Sequence, residues 1–234
     1  MMTGREIMER AGILLLDEEF ARWTLPELAD WINEGVRAII LAKPSAHAST
    51  RILSLAEGTW QQVAEVAGEP VPLSLIDIRR NLRDTNSPRV GGRIVRAVSR
   101  TMLDAQDPYW HDPTRTRYRK EVRHFVFDEE NPLEFYVYPG NDGTGVVEAI
   151  VSSLPTRLAA SGDENELASY ASDIGLPEPY SVPLLDYVCY RAQSKDDLTG
   201  NAGRAAAHYQ QFATAIGLKI QVEGATSPNA RRAN

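Results

Sequence analysis

The densest basic run in the chain is Arg115-Thr116-Arg117-Tyr118-Arg119-Lys120, four cations with one tyrosine among them. Guanidinium groups hold carboxylates or phosphates at two points and a tyrosine face can stack on a base, so the run suits an acidic protein surface or a nucleic-acid backbone. The whole chain carries 25 Lys and Arg against 32 Asp and Glu, a net charge of −7. That balance favours a solvated strand approach or a contact with acidic neighbours over backbone binding as the main activity. Just upstream, Asp107-Pro108-Tyr109-Trp110-His111-Asp112-Pro113 is aromatic and bounded by prolines, which predicts a fixed loop presenting Tyr109 and Trp110. A further cation pair, Arg231 and Arg232, lies near the C-terminal end. These residues form the candidate interface set: Tyr109, Trp110, Arg115, Arg117, Arg119, Lys120, Arg231 and Arg232.

Patterns for catalysis are not among the motifs. His47, His111, His124 and His208 show neither an HxH nor an HExxH spacing, so no metal site is expected. The glycine-rich Tyr138–Gly145 stretch lacks the Gly-Lys-Ser/Thr that holds phosphates and Mg²⁺ and joins two strand-like runs, as a hairpin loop does. There is no Gly-x-Ser-x-Gly elbow and no Cys/His signature, and Asp128-Glu129-Glu130 occupies a turn. We therefore expect no enzyme and no cofactor. Cys189 stands alone on an apolar helical stripe, which excludes an internal disulfide and predicts a buried thiol in a reducing compartment.

The elements that must position these residues follow from periodicity. Thr3 and Glu6 form a capping box before Ile7, Ala11, Leu14 and Leu15, and Asp17-Glu18 breaks that apolar pattern. Thr24 as N-cap, Glu27 returning the bond, Pro26 in the first turn and Trp23 against Leu28 as a staple predict a second helix ending at Pro44. From Arg51 the period becomes strand-like, with runs at 51–55, 59–63, 71–78 and 93–99 and a surface loop at 81–92. Met102–Ala105 reads as one helical turn. Runs at 121–127, 133–138 and 145–152 are spaced as an antiparallel meander. Helical periodicity returns at 181–217 as a hairpin capped by Ser181 and Asn201, its second helix lined by Ala202, Ala205, Ala206 and Ala213 and stopped by Gly217. Leu218–Val222 reads as an added strand, and Gly224–Asn234 as a polar tail disordered in the free monomer. Trp23, Trp31, Trp60 and Trp110 are core or interface anchors.

The expected class is α+β: terminal helices (1–45 and 180–217) forming a small bundle, an inserted antiparallel β domain (46–155), a connecting segment (156–179) and a C-terminal extension (218–234). No apolar run approaches the roughly 20 residues of a membrane span and no signal-peptide pattern opens the chain, so neither a membrane protein nor an exported one is expected.

Several stretches carry a resemblance. LLDYVCYRAQSKDD (184–197), the Gly200-Asn201 spacer and RAAAHYQQF (204–212) resemble the C-terminal signature of the adaptor, or head-to-tail connector, proteins of tailed bacteriophages. DEEFARWTLPELADWINEGVRAIILAKP (17–44), MLDAQDPYW (102–110) and FDEENPLEFYVYP (127–139) are similar to the same family in the same order; residues 51–93 match little. The resemblance implies a virion structural protein made in the host bacterial cytoplasm. It would form a ring of twelve copies below the portal protein, extend the DNA channel and receive tail, nozzle or tail-tube proteins. Genomic DNA would pass through without sequence-specific binding, helped by a formal ring charge of twelve times −7, or −84. The competing reading is a non-specific DNA-binding or packaging accessory that uses Arg115–Lys120; an enzyme of unrecognised type ranks behind both.

Overall fold

A computed structural model describes residues 2–86, 89–128, 130–195 and 201–226. In chain order its elements are α1 (Gly4–Leu15), α2 (Leu25–Ala42), β1 (Ala48–Ser54), β2 (Glu57–Gln62), β3 (Pro72–Asp84), β4 (Val90–Ile94), β5 (Arg96–Ala97), α3 (Arg100–Gln106), β6 (His124–Phe127), β7 (Glu134–Asp142), β8 (Val146–Ser153), α4 (Ser181–Ser194) and α5 (Ala202–Thr226). The chain is α+β and divides into a helical unit, 1–47 with 155–234, and a β unit, 48–154.

In the helical unit α4 packs against α1, α2 and α5. The capping box forms: Thr3 N–H donates to Glu6 and Glu6 N–H donates to the Thr3 hydroxyl, and Leu16 closes α1 in the left-handed region at φ 55°. Asp17 then accepts from the backbone N–H groups of Ala21, Arg22 and Trp23, which turns the chain into α2. Thr24 occupies the N-cap of α2, yet its hydroxyl donates to Glu27 rather than capping the backbone. Gly35 lets α2 approach α4, because a Cβ there would lie 2.7 Å from Leu184.

Three helical expectations are corrected. Ser181 is the first residue of α4 rather than its cap, since a 3-10 turn at Glu178–Tyr180 leads directly into the helix. Asn201 does cap α5, accepting from Arg204 N–H at 3.0 Å. The alanine stripe of α5 is not a tight seam: Ala205 is buried while Ala202, Ala206 and Ala213 are exposed. Contact with α4 is instead aromatic, Tyr187 with Phe212 and Tyr190 with Tyr209, each at 5.0 Å between ring centroids. Gly217 does not stop α5, 218–222 is not a strand and 224–226 is not tail, because the helix continues to Thr226; one glycine costs an established helix only about 1 kcal/mol, and the rest of the expected tail, 227–234, lies outside the described residues.

The β unit holds two four-stranded sheets, ordered β1-β8-β3-β4 and β2-β7-β6-β5. Leu75, Ile78, Val147, Ala149 and Val151 from the first sheet and Phe125, Phe135 and Val137 from the second share one apolar core. Alternation along β7 puts Phe135 and Val137 into that core and turns Tyr136 and Tyr138 to the opposite face. The expected meander is absent: β6 pairs with β7, but β8 pairs with β1 and β3, so 143–145 is a corner between sheets and not a hairpin loop. β5 pairs with β6 in parallel. Nor is 81–92 wholly a loop, since β3 runs on to Asp84 and β4 begins at Val90.

Candidate interface surface

Trp110 is enclosed in the β unit, 1% exposed. It lies on the outer face of the second sheet with Leu103 and Val126, edge-on to Tyr136 and Tyr138 at 6.0 and 6.5 Å. Its indole N–H donates to Asp104 at 2.9 Å. An indole able to bury its rings between α3 and the sheet, with a carboxylate for its one donor, folds inward, so Trp110 is a packing residue rather than a surface anchor. Tyr109 beside it is 55% exposed and stacks under the Arg115 guanidinium at 4.6 Å.

The loop is pinned at several points. Asp107 accepts from Thr116 Oγ1 at 2.7 Å and from the Tyr138 hydroxyl at 3.3 Å, and Thr59 Oγ1 meets His111 Nδ1 at 2.7 Å. The Tyr118 hydroxyl donates to the His111 carbonyl at 2.7 Å. Gly140 is required under the Tyr118 ring, since a Cβ there would come within 2.4 Å of it. Asn141, fully buried, uses its amide N–H₂ on the Arg119 and Lys120 carbonyls and its oxygen on the Gly143 and Gly145 N–H groups. The backbone under the basic run is thus fixed from within, while Arg115, Arg117, Arg119 and Lys120 are exposed. None of the four joins an ion pair among the described residues. Hydroxyl bonds from Thr114 and Thr144 hold the Asp112 and Asp142 carboxyls below the usual range, so both stay ionised beside this run. Arg231 and Arg232 lie outside the described residues.

A second cationic group escaped the motif reading. Arg93 on β4, Arg96 on β5 and Arg123 before β6 are exposed and crowd His124. Burial pushes the imidazole down and these three guanidiniums push it further, so it is neutral near pH 7. Their strands are clamped by buried Asn81, whose N–H₂ donates to the Arg93 and Val122 carbonyls at 2.9 and 2.8 Å, and Arg96 N–H donates to the Arg123 carbonyl at 3.1 Å. The available signal was regional charge: positions 79–123 hold 12 Lys and Arg against 5 Asp and Glu. A search for dense runs passes over residues that only strand pairing gathers.

Of the four tryptophans, Trp23, Trp31 and Trp110 are buried and Trp60 is 47% exposed on β2, its N–H donating to Glu134. Among the described residues no group of His, Cys, Asp and Glu is arranged to hold a metal ion, and no helix is long and apolar enough to cross a membrane. Burial pushes the Cys189 thiol up to about 12, a poor nucleophile at neutral pH. What the surface offers chemically is exposed cations with no ion pair among the described residues and exposed aromatics on a rigid support, the equipment of a contact face.

A comparison with curated proteins gives no match. The family model for the SU10 adaptor protein covers residues 2–232, both units included, and the chain therefore belongs to the SU10 adaptor protein family.

Proposed function

We propose that the chain is a head-to-tail adaptor of a tailed-phage virion. It is made in the host cytoplasm and assembled as a ring of twelve copies on the portal, where it extends the DNA channel and receives tail or nozzle proteins. The observation that carries this reading is the family match across nearly the whole chain. A contact surface of exposed cations and aromatics over a pinned backbone supports it. In this reading Arg115, Arg117, Arg119 and Lys120 meet acidic residues of the adjacent subunit or the portal, with Tyr109 at the edge of the contact. The segment 227–234, with Arg231 and Arg232, contacts the portal.

A ring needs two different faces that meet head to tail and close. A monomer whose contacts are weak until it sits on the portal avoids closing rings elsewhere. Capture of the full chain and of a chain lacking Ser227–Asn234 by immobilised portal tests the reading. We expect the full chain to bind and the truncated chain, equally folded, to bind more weakly; failure of the full chain to bind portal would refute it. The excess of cations at 79–123 favours one competing reading, a non-specific DNA-binding accessory. Salt-sensitive binding of duplex DNA by the isolated protein would support that alternative.

A further inference from the structure

The two units of this chain carry opposite local charge clusters. On the β unit, Arg93, Arg96 and Arg123 converge from three strand segments held by Asn81. None of the three joins an ion pair among the described residues. They lie around the His124 ring, whose Nδ1 is buried with no hydrogen-bond partner among the described residues. Two of the strands concerned, β4 and β5, are the edge strands of their sheets. Cations on an edge strand oppose sheet-to-sheet pairing, so a partner there is held through side chains.

On the helical unit, Asp163 and Glu164 lie with Asp30 of α2 around the Tyr170 hydroxyl. Burial first, and then the negative charge of Glu164, Asp30 and Asp163, drives that hydroxyl upward. Glu166 follows on the same exposed segment. Arg157 pairs with Asp30 at 2.6 Å, while Asp163, Glu164 and Glu166 join no ion pair among the described residues. The sequence of the helical unit holds 12 Lys and Arg against 17 Asp and Glu, a net −5, whereas the β unit holds 13 against 15, a net −2.

We infer that the Arg93, Arg96 and Arg123 face is a docking surface for a second copy of this chain, taking the Asp163, Glu164 and Glu166 segment of that copy's helical unit. The contact is heterologous, with a basic face on one copy and an acidic face on the next, as a closed ring requires. It assigns the subunit-to-subunit contact to these residues and leaves Arg115–Lys120 for the portal. This inference rests on the adaptor reading for its ring but is tested without portal. Charge complementarity favours another copy as the occupant: three exposed guanidiniums on one copy's β unit match three exposed carboxylates on the next copy's helical unit, and neither set has an ion-pair partner among the described residues of its own chain, so local attraction between copies acts against their like net charge of −7.

The test uses two full-length variants, R96E/R123E and E164R/E166R, all at exposed side chains, followed by sedimentation velocity over a concentration series at low salt and by melting curves. Wild type should self-associate weakly, and each variant alone should lose this about 100-fold or more, since reversing close interfacial charges removes attraction and adds repulsion. An equimolar mixture should recover it. The reversed basic face of one variant meets the reversed acidic face of the other, and the remaining two faces are native, so alternating copies satisfy every contact. That recovery also shows that both variants are folded. Variants that associate like wild type, or a mixture no better than its parts, would overturn the inference. So would a wild-type chain that stays monomeric at every concentration, whereas the adaptor reading would still be judged by portal capture. If R96E/R123E loses salt-sensitive binding of a fluorescent DNA duplex while self-association is unchanged, the face belongs to a nucleic-acid backbone and the inference fails.

Discussion

Replacing Trp110 with alanine separates packing from contact. The side chain is buried against Leu103, Val126, Tyr136 and Tyr138 and its N–H is bonded to Asp104, so the change removes a large buried ring and leaves Asp104 without that donor. Comparable truncations cost about 3–5 kcal/mol. For a unit of this size 1 kcal/mol moves the melting temperature by roughly 4–8 °C, so a loss of more than about 10 °C is expected in the transition of the β unit. Tyr109→Ala is the control, because that ring is half exposed and its stacking under Arg115 contributes about 0.5–1 kcal/mol at such a site. It should shift melting by only a few degrees while weakening portal attachment. Calorimetry of the two variants beside wild type gives the answer. A Trp110→Ala protein that melts like wild type yet fails to assemble would refute the packing assignment and return Trp110 to the interface.

Three other expectations follow from individual side chains. Glu148 is buried on β8 between Arg80 at 2.7 Å and Arg89 at 3.3 Å, and the Arg80 hydrogen bond holds its carboxyl below the usual range. A depressed carboxyl contributes stability above its unfolded pKa of about 4.3 and loses it as pH falls through the folded value. Glu148→Gln should therefore cost roughly 1–3 kcal/mol at neutral pH, and denaturant melts at falling pH should show the gap to wild type closing. With its thiol pushed up to about 12 by burial, Cys189 should resist a thiol reagent at neutral pH in the folded protein and react only as the helical unit opens; fast labelling of native protein would contradict its placement. Deleting Ser227–Asn234, a small and polar stretch with no large apolar side chain to bury, should leave the melting temperature within about 2 °C of wild type and lower portal capture severalfold.

Local chemistry was legible where it is self-contained. Thr3 and Glu6 close their capping box and Asn201 caps α5 across three residues, and Pro26 opens α2 where its missing N–H costs nothing; Thr24 and Glu27, also three apart, bond to each other instead of capping the backbone. The α+β class follows from the change of hydrophobic period between Pro44 and Arg51. Strand partnership was not legible. β7 and β8 are adjacent in sequence and look like a hairpin, yet the core is satisfied by placing them in different sheets, and no local feature of Gly143 to Gly145 announces a corner. Basic residues 115–120 were visible as a run, whereas Arg93, Arg96 and Arg123 are gathered only by β4, β5 and β6. The direction in which Trp110 points was hidden as well, because an aromatic loop reads alike whether its indole faces solvent or the outside of a sheet.

Counting the chains that join a portal tests the account most directly. Mass photometry of purified portal alone, the chain alone at micromolar concentration and the two mixed would give that number. Twelve copies of a 26.0 kDa chain add about 312 kDa to the portal, and the account predicts that increment in the mixture, a largely monomeric free chain, and loosening in added salt as exposed pairs are screened over about 8 Å. No increment on the portal, or stable rings without it that ignore salt, would contradict it.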